Sequence, residues 1–236
     1  LVMAYIPLQL SPVTPPIVAQ FVYGAIEKYY FMDVHAMLRL PLPEQGINAG
    51  QNSAAAQVLL AVISAVSATL FDTEGLSGEL FKGLVEKYFP WDKEPDLEVS
   101  RAEAADVIYK VFRNPLTHSA GLMTAERNKR RFLNEDRYKI LLKRVLPGDM
   151  TTGHPEVWIE QLERSASRPG FGPTLVIEKH KRTLFVEGLY WGCRQMIQSL
   201  TADEVRMRRA AAFLSPLAGA NLSSASDPTG SSAKVV

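Results

Sequence analysis

A long stretch without charged residues, at positions 45–71, limits the fold of this chain more than any other feature. Its large side chains recur at steps of three to four residues along one side of a predicted helix: Val58, Leu59, Val62, Ile63, Val66 and Leu70. Positions 54–71 are nearly long enough to cross a bilayer, but Gln57 and the many Ala, Ser and Thr residues favour a central helix of a soluble bundle. We therefore expect a core helix and no membrane partner.

Other segments show the periodicity of amphipathic helices. Thr14, Ser100 and Thr201 stand at N-cap positions, and Glu103 and Glu204 follow the last two at capping-box spacing. The predicted helices cover about 16–40, 52–71, 77–89, 100–113, 154–167, 182–200 and 201–214. We predict an all-α fold, an antiparallel (up-down) bundle of about four long helices with short satellite helices and room for a small two-stranded ribbon.

Two segments carry strand signals. Positions 174–178, with the sequence TLVIE, predict a short strand. Positions 137–146 fit a helix and a strand equally well, and both interpretations stay open.

The domain boundaries follow from composition. Positions 1–15 form a proline-punctuated lead-in, and 16–214 form a single helical domain. Positions 215–236 are rich in Ser, Gly and Ala and are predicted to be a disordered tail.

The charge of the chain is small in sum but uneven along the sequence. A net charge of +1 over 236 residues excludes a strongly basic nucleic-acid coat. Yet positions 126–144 hold eight bases and three acids, whereas positions 72–106 hold ten acids and four bases. A local basic face is therefore expected.

Cysteine and histidine are sparse. Cys193 is the single cysteine, so no internal disulfide forms, and the start of the sequence lacks the basic region of a signal peptide. His35, His154 and His180 have no partners at metal-ligand spacing, and no phosphate-cradling glycine motif occurs. We expect a cytoplasmic protein with a buried structural thiol, no metal and no cofactor.

The segment VFRNPLTHSAG, at positions 111–121, combines a helix breaker with residues suited to chemistry. One interpretation is that a helix stops at Arg113, Asn114 caps a new one, and Pro115 opens its first turn. A second is that a kink at Pro115 brings Arg113 and His118 together, since an unbroken helix would hold them about 140° apart.

The combination of Arg113, Asn114 and His118 in a helical context resembles the signature of the HEPN superfamily (higher eukaryotes and prokaryotes nucleotide-binding domains). The resemblance implies a metal-independent endoribonuclease that forms a homodimer, serves as a toxin or in phage defence, and is restrained by an antitoxin protein. It implies that His118 is a general base or acid, that Arg113 holds the phosphate, and that Asn114 orients either group. Two alternatives stay open: a non-catalytic HEPN-like domain that binds nucleotide, RNA or a protein partner, and an unrelated helical protein.

Further residues are candidates for supporting roles. Asp106 and Tyr109 lie on the same side of the predicted helix as Arg113. Either both residues support the site, or Asp106 simply forms an ion pair with Arg113. A group of basic residues either binds RNA phosphates or is only a solvated surface. These residues are Arg127, Lys129, Arg130, Arg131, Lys181 and Arg182.

Overall fold

The computed structural model describes residues 13–39, 49–71, 75–94, 97–119, 139–144, 160, 163, 173–179 and 181–225. These residues are mostly helical, with one small three-stranded sheet. The predicted helical class is confirmed, and the sheet has one strand more than the ribbon that was expected.

The first helical stretch contains α1 (Pro15–Ile26), a π-helical segment (Glu27–Phe31) and α2 (Met32–Arg39). Proline is tolerated in the first turn because the N–H groups there have no helical partner. Thr14 stands at the predicted N-cap with an extended backbone, although its side chain makes no capping hydrogen bond.

The apolar stretch forms α3 (Ala49–Val66) and a second π-helical segment (Ser67–Phe71). Among the described residues, Asn52–Phe71 is the one helix long and apolar enough to cross a membrane, with a mean hydropathy of 2.0. Over half of it, 56%, is nevertheless buried inside the protein. Contacts with α2 and neighbouring helices cover it, as expected for a core helix.

The next helices are α4 (Ser77–Tyr88) and, after a short 3-10 turn, α5 (Arg101–Val107). Ser100 caps α5 as predicted, since its hydroxyl accepts a hydrogen bond from the backbone N–H of Glu103 at 3.2 Å.

The helix that begins with α5 does not stop before Pro115. It continues through a third π-helical segment (Ile108–Arg113) into α6 (Asn114–Ser119). Asn114 has helical φ and ψ of −63° and −46°, so the prediction that it caps a new helix is wrong. The wider turn directly before Pro115 relieves the clash that a proline ring causes in an α-helix.

The sheet contains β1 (Lys139–Lys143), β2 (Leu175–Glu178) and β3 (Lys181–Phe185) in the order β1-β3-β2. β1 runs parallel to β3, and β2 pairs with β3 as an antiparallel hairpin. The strand alternative for 137–146 and the strand at 174–178 are therefore confirmed. The helix predicted from position 182 is wrong as far as Phe185, because pairing with β1 and β2 satisfies this backbone as a strand.

The last two helices are α7 (Val186–Ala202) and α8 (Glu204–Ala225). Thr201 is not the predicted N-cap, since it lies inside α7 and its hydroxyl donates to the Ile197 carbonyl at 2.9 Å. Asp203 caps α8 instead, because its Oδ1 accepts from the Arg206 backbone N–H at 3.1 Å.

Helix α8 also continues beyond the predicted end at Leu214, as far as Ala225. The tail predicted from position 215 therefore begins within this helix, and its positions 226–236 lie outside the described residues. Of the helix predicted at 154–167, only residues 160 and 163 are described, and both are helical.

The core is centred on α7. The large side chains of α7 are almost fully buried, and α7 contacts α1, α3, α4 and α8. The π-helical segment Ile108–Arg113 contacts α3 and β3, and α3 contacts β1. The helix that carries the Arg113 motif therefore contacts both the core helix and the sheet.

Candidate functional site

Arg113 is half-buried, and within the described part of the chain it contacts three neutral groups. Its Nε donates to the Ser64 Oγ of α3 at 3.2 Å, and its Nη1 donates to the Asn114 Oδ1 at 3.0 Å. Its guanidinium carbon lies 5.4 Å from the centre of the Tyr109 ring, within cation–π range. Because the Ser64 hydroxyl donates to the Leu60 carbonyl, a lone pair of its oxygen is left for Arg113.

The position of His118 follows from the backbone. Asn114 and His118 are four residues apart in α6, so the two positions share a helical face. Gln57 Nε2 donates to the Leu116 carbonyl at 3.2 Å and ties α6 to α3. The side chain of His118 lies outside the described residues, so its convergence with Arg113 stays a prediction.

Tyr109 packs tightly between Arg113 and α4. A Cβ atom on Gly78 would lie only 2.7 Å from the Tyr109 hydroxyl oxygen, so the ring depends on glycine at this position. The ring of Phe81, which also belongs to α4, lies 5.3 Å from the Tyr109 ring, measured between ring centres. This packing fixes the aromatic face on which the Arg113 guanidinium lies.

Asp106 forms ion pairs with two lysines. Its carboxylate lies 2.7 Å from Lys110 Nζ and 3.3 Å from Lys82 Nζ. The second pair joins α5 to α4, so Asp106 helps to hold the motif-bearing helix in place.

The sheet brings two basic runs of the sequence together. In the parallel pairing of β1 and β3, Lys139 is the register partner of Lys181, and Ile140 is that of Arg182. Lys181 Nζ pairs with Glu178 at 2.5 Å, and Arg182 donates to the backbone carbonyls of Glu178 and Lys181. The predicted RNA contacts Arg127, Lys129, Arg130 and Arg131 lie outside the described residues.

Sequence reasoning missed a second polar site. Glu163 accepts hydrogen bonds from the Tyr190 hydroxyl and from His35 Nδ1, both at 2.5 Å. Arg194 Nη1 donates to Glu27 Oε1 at 2.7 Å, and the second oxygen of Glu27 is buried with no hydrogen-bond partner among the described residues. We call Glu27, His35, Glu163, Tyr190 and Arg194 the Glu163 cluster.

The tautomer of His35 follows from its neighbours in the Glu163 cluster. Arg39 Nη1, which can only donate, lies 3.3 Å from His35 Nε2, so Nε2 accepts and Nδ1 carries the proton that is given to Glu163. Pairs such as Tyr190 and Arg194, four apart in α7, could have indicated a polar patch on a helix. The contact between His35 and Glu163 joins residues 128 apart, which no periodicity reveals.

Electrostatics in the Glu163 cluster favour the charged carboxylate. Burial raises the pKa of Glu163, but the hydrogen bonds from Tyr190 and His35 and the charge of Arg194 outweigh it, so the pKa is lowered. Burial and the hydrogen bond to Glu163 raise the pKa of Tyr190. The cluster therefore holds a carboxylate and a neutral phenol at neutral pH.

Two further findings concern reactive side chains in the described part of the chain. Cys193 is fully buried, and burial raises the pKa of its thiol, which makes it a structural residue. The described part of the chain contains no group of three His, Cys, Asp or Glu residues that could hold a metal ion.

Comparisons of the chain with protein-family models, with curated proteins and with solved structures each gave no match.

Proposed function

We propose that this chain is a HEPN-like metal-independent endoribonuclease whose site contains Arg113, Asn114 and His118. The main supporting observation is that Arg113 is braced by Ser64 and Asn114 in a helix that contacts the basic strand β3. The proposal includes an antiparallel up-down arrangement of the helices, a homodimer, a cytoplasmic location and restraint by an antitoxin protein.

The proposed reaction is transesterification of RNA. Neutral His118 takes the proton of a ribose 2′-OH, and the 2′-oxygen attacks the adjacent phosphorus. The bond to the 5′-oxygen breaks, the 5′-oxygen is protonated, and the products are a 2′,3′-cyclic phosphate and a 5′-OH. Arg113 stabilises the charge on the phosphate, and Asn114 holds the guanidinium in its orientation.

The basic residues supply affinity in this proposal. Lys181 and Arg182 belong to β3, and β3 contacts the helix that carries the motif. RNA bound through phosphate contacts dissociates as salt rises, because the displaced counterions return.

One observation favours the second candidate, a non-catalytic HEPN-like domain that binds nucleotide, RNA or a protein. Arg113 is half-buried and already uses Nε and Nη1 for Ser64 and Asn114. A guanidinium engaged in this way can serve to join α3 to the motif helix as well as to bind a phosphate.

The test is cleavage of end-labelled RNA by the purified full chain in EDTA. We expect cleavage with a 2′,3′-cyclic phosphate end, and a loss of about 10²–10⁴-fold in rate for His118→Ala. Arg208→Ala is the matched control, because Arg208 is a 69% exposed cation on α8. Full activity of His118→Ala, or cleavage of RNA that lacks the 2′-OH, would contradict the nuclease, whereas salt-dependent binding without cleavage would favour the second candidate.

A further inference from the structure

The core helix α3 reaches the motif-bearing helix through two polar side chains. Gln57 Nε2 donates to the Leu116 carbonyl at 3.2 Å, and Ser64 Oγ accepts from Arg113 Nε at the same distance. Gln57 and Ser64 are seven residues apart, which is close to two full turns, so they lie on one face of α3. The earlier residue of α3 contacts the later residue of the motif-bearing helix, so the two helices run antiparallel here.

The Leu116 carbonyl takes its donor from outside its own helix. α6 covers Asn114–Ser119, and the last four carbonyls of an α-helix have no N–H partner within that helix. The Leu116 side chain is only 1% exposed, so this part of α6 is packed against the core. Gln57 therefore acts as a side-chain cap that α3 places on the last turn of α6.

The backbone itself holds α6 weakly at its start. Pro115 has no N–H and gives no hydrogen bond to the preceding turn, which belongs to the π-helical segment Ile108–Arg113. The direction of α6 relative to that segment depends all the more on contacts with α3. The hydrogen bond from Gln57 is one of these contacts.

His118 follows Leu116 by two residues, within the same turn of α6. We propose that Gln57 is a positioning residue for His118, because it fixes the turn of α6 that carries this histidine. Ser64 does the same for Arg113, so one face of α3 sets the placement of both groups. This inference rests on the proposed ribonuclease activity, which gives the placement of His118 its consequence for catalysis.

Steady-state cleavage of RNA by the full chain tests the proposal with Gln57→Met, which keeps the length of the side chain and removes the N–H donor. We expect kcat to fall about fivefold with KM unchanged, because Gln57 acts on His118 and not on RNA binding. Gln57→Lys supplies a donor again and should recover most of kcat. Gln57 is exposed, so neither change should unfold the chain.

Gln198→Met is the matched control. Gln198 is an exposed glutamine of α7 whose Nε2 donates to the Tyr23 hydroxyl at 3.2 Å, so the same atoms are removed from a bond of the same length on another helix. This variant should keep the wild-type kcat. In the His118→Ala background, Gln57→Met should cause no further loss of rate. Equal kcat values for Gln57→Met and wild type, or the same fivefold loss without His118, would overturn the proposal.

The imidazole signal of His118 in a carbon–proton NMR spectrum gives a readout that needs no activity. We expect it to move in Gln57→Met and to stay in place in Gln198→Met, with the signals of the other three histidines unchanged in the first variant. A wild-type chain that cleaves no RNA would refute the ribonuclease and leave this signal to decide the role of Gln57. A moved signal would then support positioning of His118 by Gln57, and an unmoved signal would overturn it.

Discussion

Arg113 and Ser64 join the motif-bearing helix to the core helix α3 through a single hydrogen bond of 3.2 Å, from Nε to Oγ. The Ser64 hydroxyl donates in turn to the Leu60 carbonyl of its own helix at 2.9 Å. The orientation of the guanidinium is thereby fixed by a buried, rigid element. Under the proposed function, the geometry of catalysis depends on a serine that the motif does not include.

Replacement of Ser64 tests this dependence. Ser64→Ala removes the acceptor of the Arg113 Nε–H, and loss of one hydrogen bond of about 1 kcal/mol should lower kcat for RNA cleavage about fivefold. Ser64→Thr keeps the hydroxyl and should retain most of the activity. Steady-state kinetics separate kcat from KM, and equal kcat values for Ser64→Ala and wild type would contradict the positioning role.

Two glycines should respond oppositely to the same substitution. A Cβ on Gly192 would lie 2.0 Å from the Phe89 ring, so Gly192→Ala should destabilise the fold by about 1–3 kcal/mol. Gly24 in α1 has no atom within 4 Å of such a Cβ, so Gly24→Ala should stabilise by up to about 1 kcal/mol. Urea unfolding measures both, and a stabilising Gly192→Ala would refute the close approach.

A buried ion pair holds the end of β1. Arg144 donates to Glu187, which is fully buried, and to the Leu38 carbonyl at 2.7 Å. Arg144→Ala leaves a buried charge without this partner and should cost about 3–5 kcal/mol of unfolding free energy.

The exposed ion pair of Arg208 and Glu204 is the control for the buried pair of Arg144 and Glu187. Glu204→Ala should cost under about 1 kcal/mol, because water screens this pair. Similar losses for Arg144→Ala and Glu204→Ala in urea unfolding would show that β1 is not anchored through Glu187.

Glu163 should make stability depend on pH. Its pKa in the folded chain is lowered from the ordinary value of 4.5, so the folded state binds its proton less readily than the unfolded state. The carboxylate therefore contributes stability above the unfolded-state pKa, and this contribution disappears as the pH falls through the lower folded-state pKa.

Comparison of wild type with Glu163→Gln measures this contribution. The difference in unfolding free energy should be largest near neutral pH and should shrink in acid. A difference that is constant across this range would mean that the carboxylate charge is irrelevant to the Glu163 cluster.

Cys193 should be inert in the native protein. Its side chain is fully buried, and the raised pKa of the thiol leaves little thiolate at neutral pH. A thiol-specific disulfide reagent should react with it only as fast as the chain unfolds, and immediately in denaturant. Rapid labelling of the folded protein would contradict the buried position.

Local signals in the sequence were enough for most of the helices. The apolar period of positions 52–71 predicted the core helix, and Ser100 with Glu103 predicted the start of α5, because these patterns act within a few turns. Arg113 and Asn114 are candidates named from the sequence, and their side chains are in contact.

Contacts between distant segments were decided by the tertiary structure alone. From the sequence, positions 182–185 were assigned to the start of a helix. Pairing with β1 and β2 makes them a strand instead. The hydrogen bonds of Arg113 with Ser64 and of His35 with Glu163 span 49 and 128 positions, respectively. Periodicity describes one element at a time, whereas the partner of a polar side chain depends on how all the elements pack, so these two contacts could be known only from the fold.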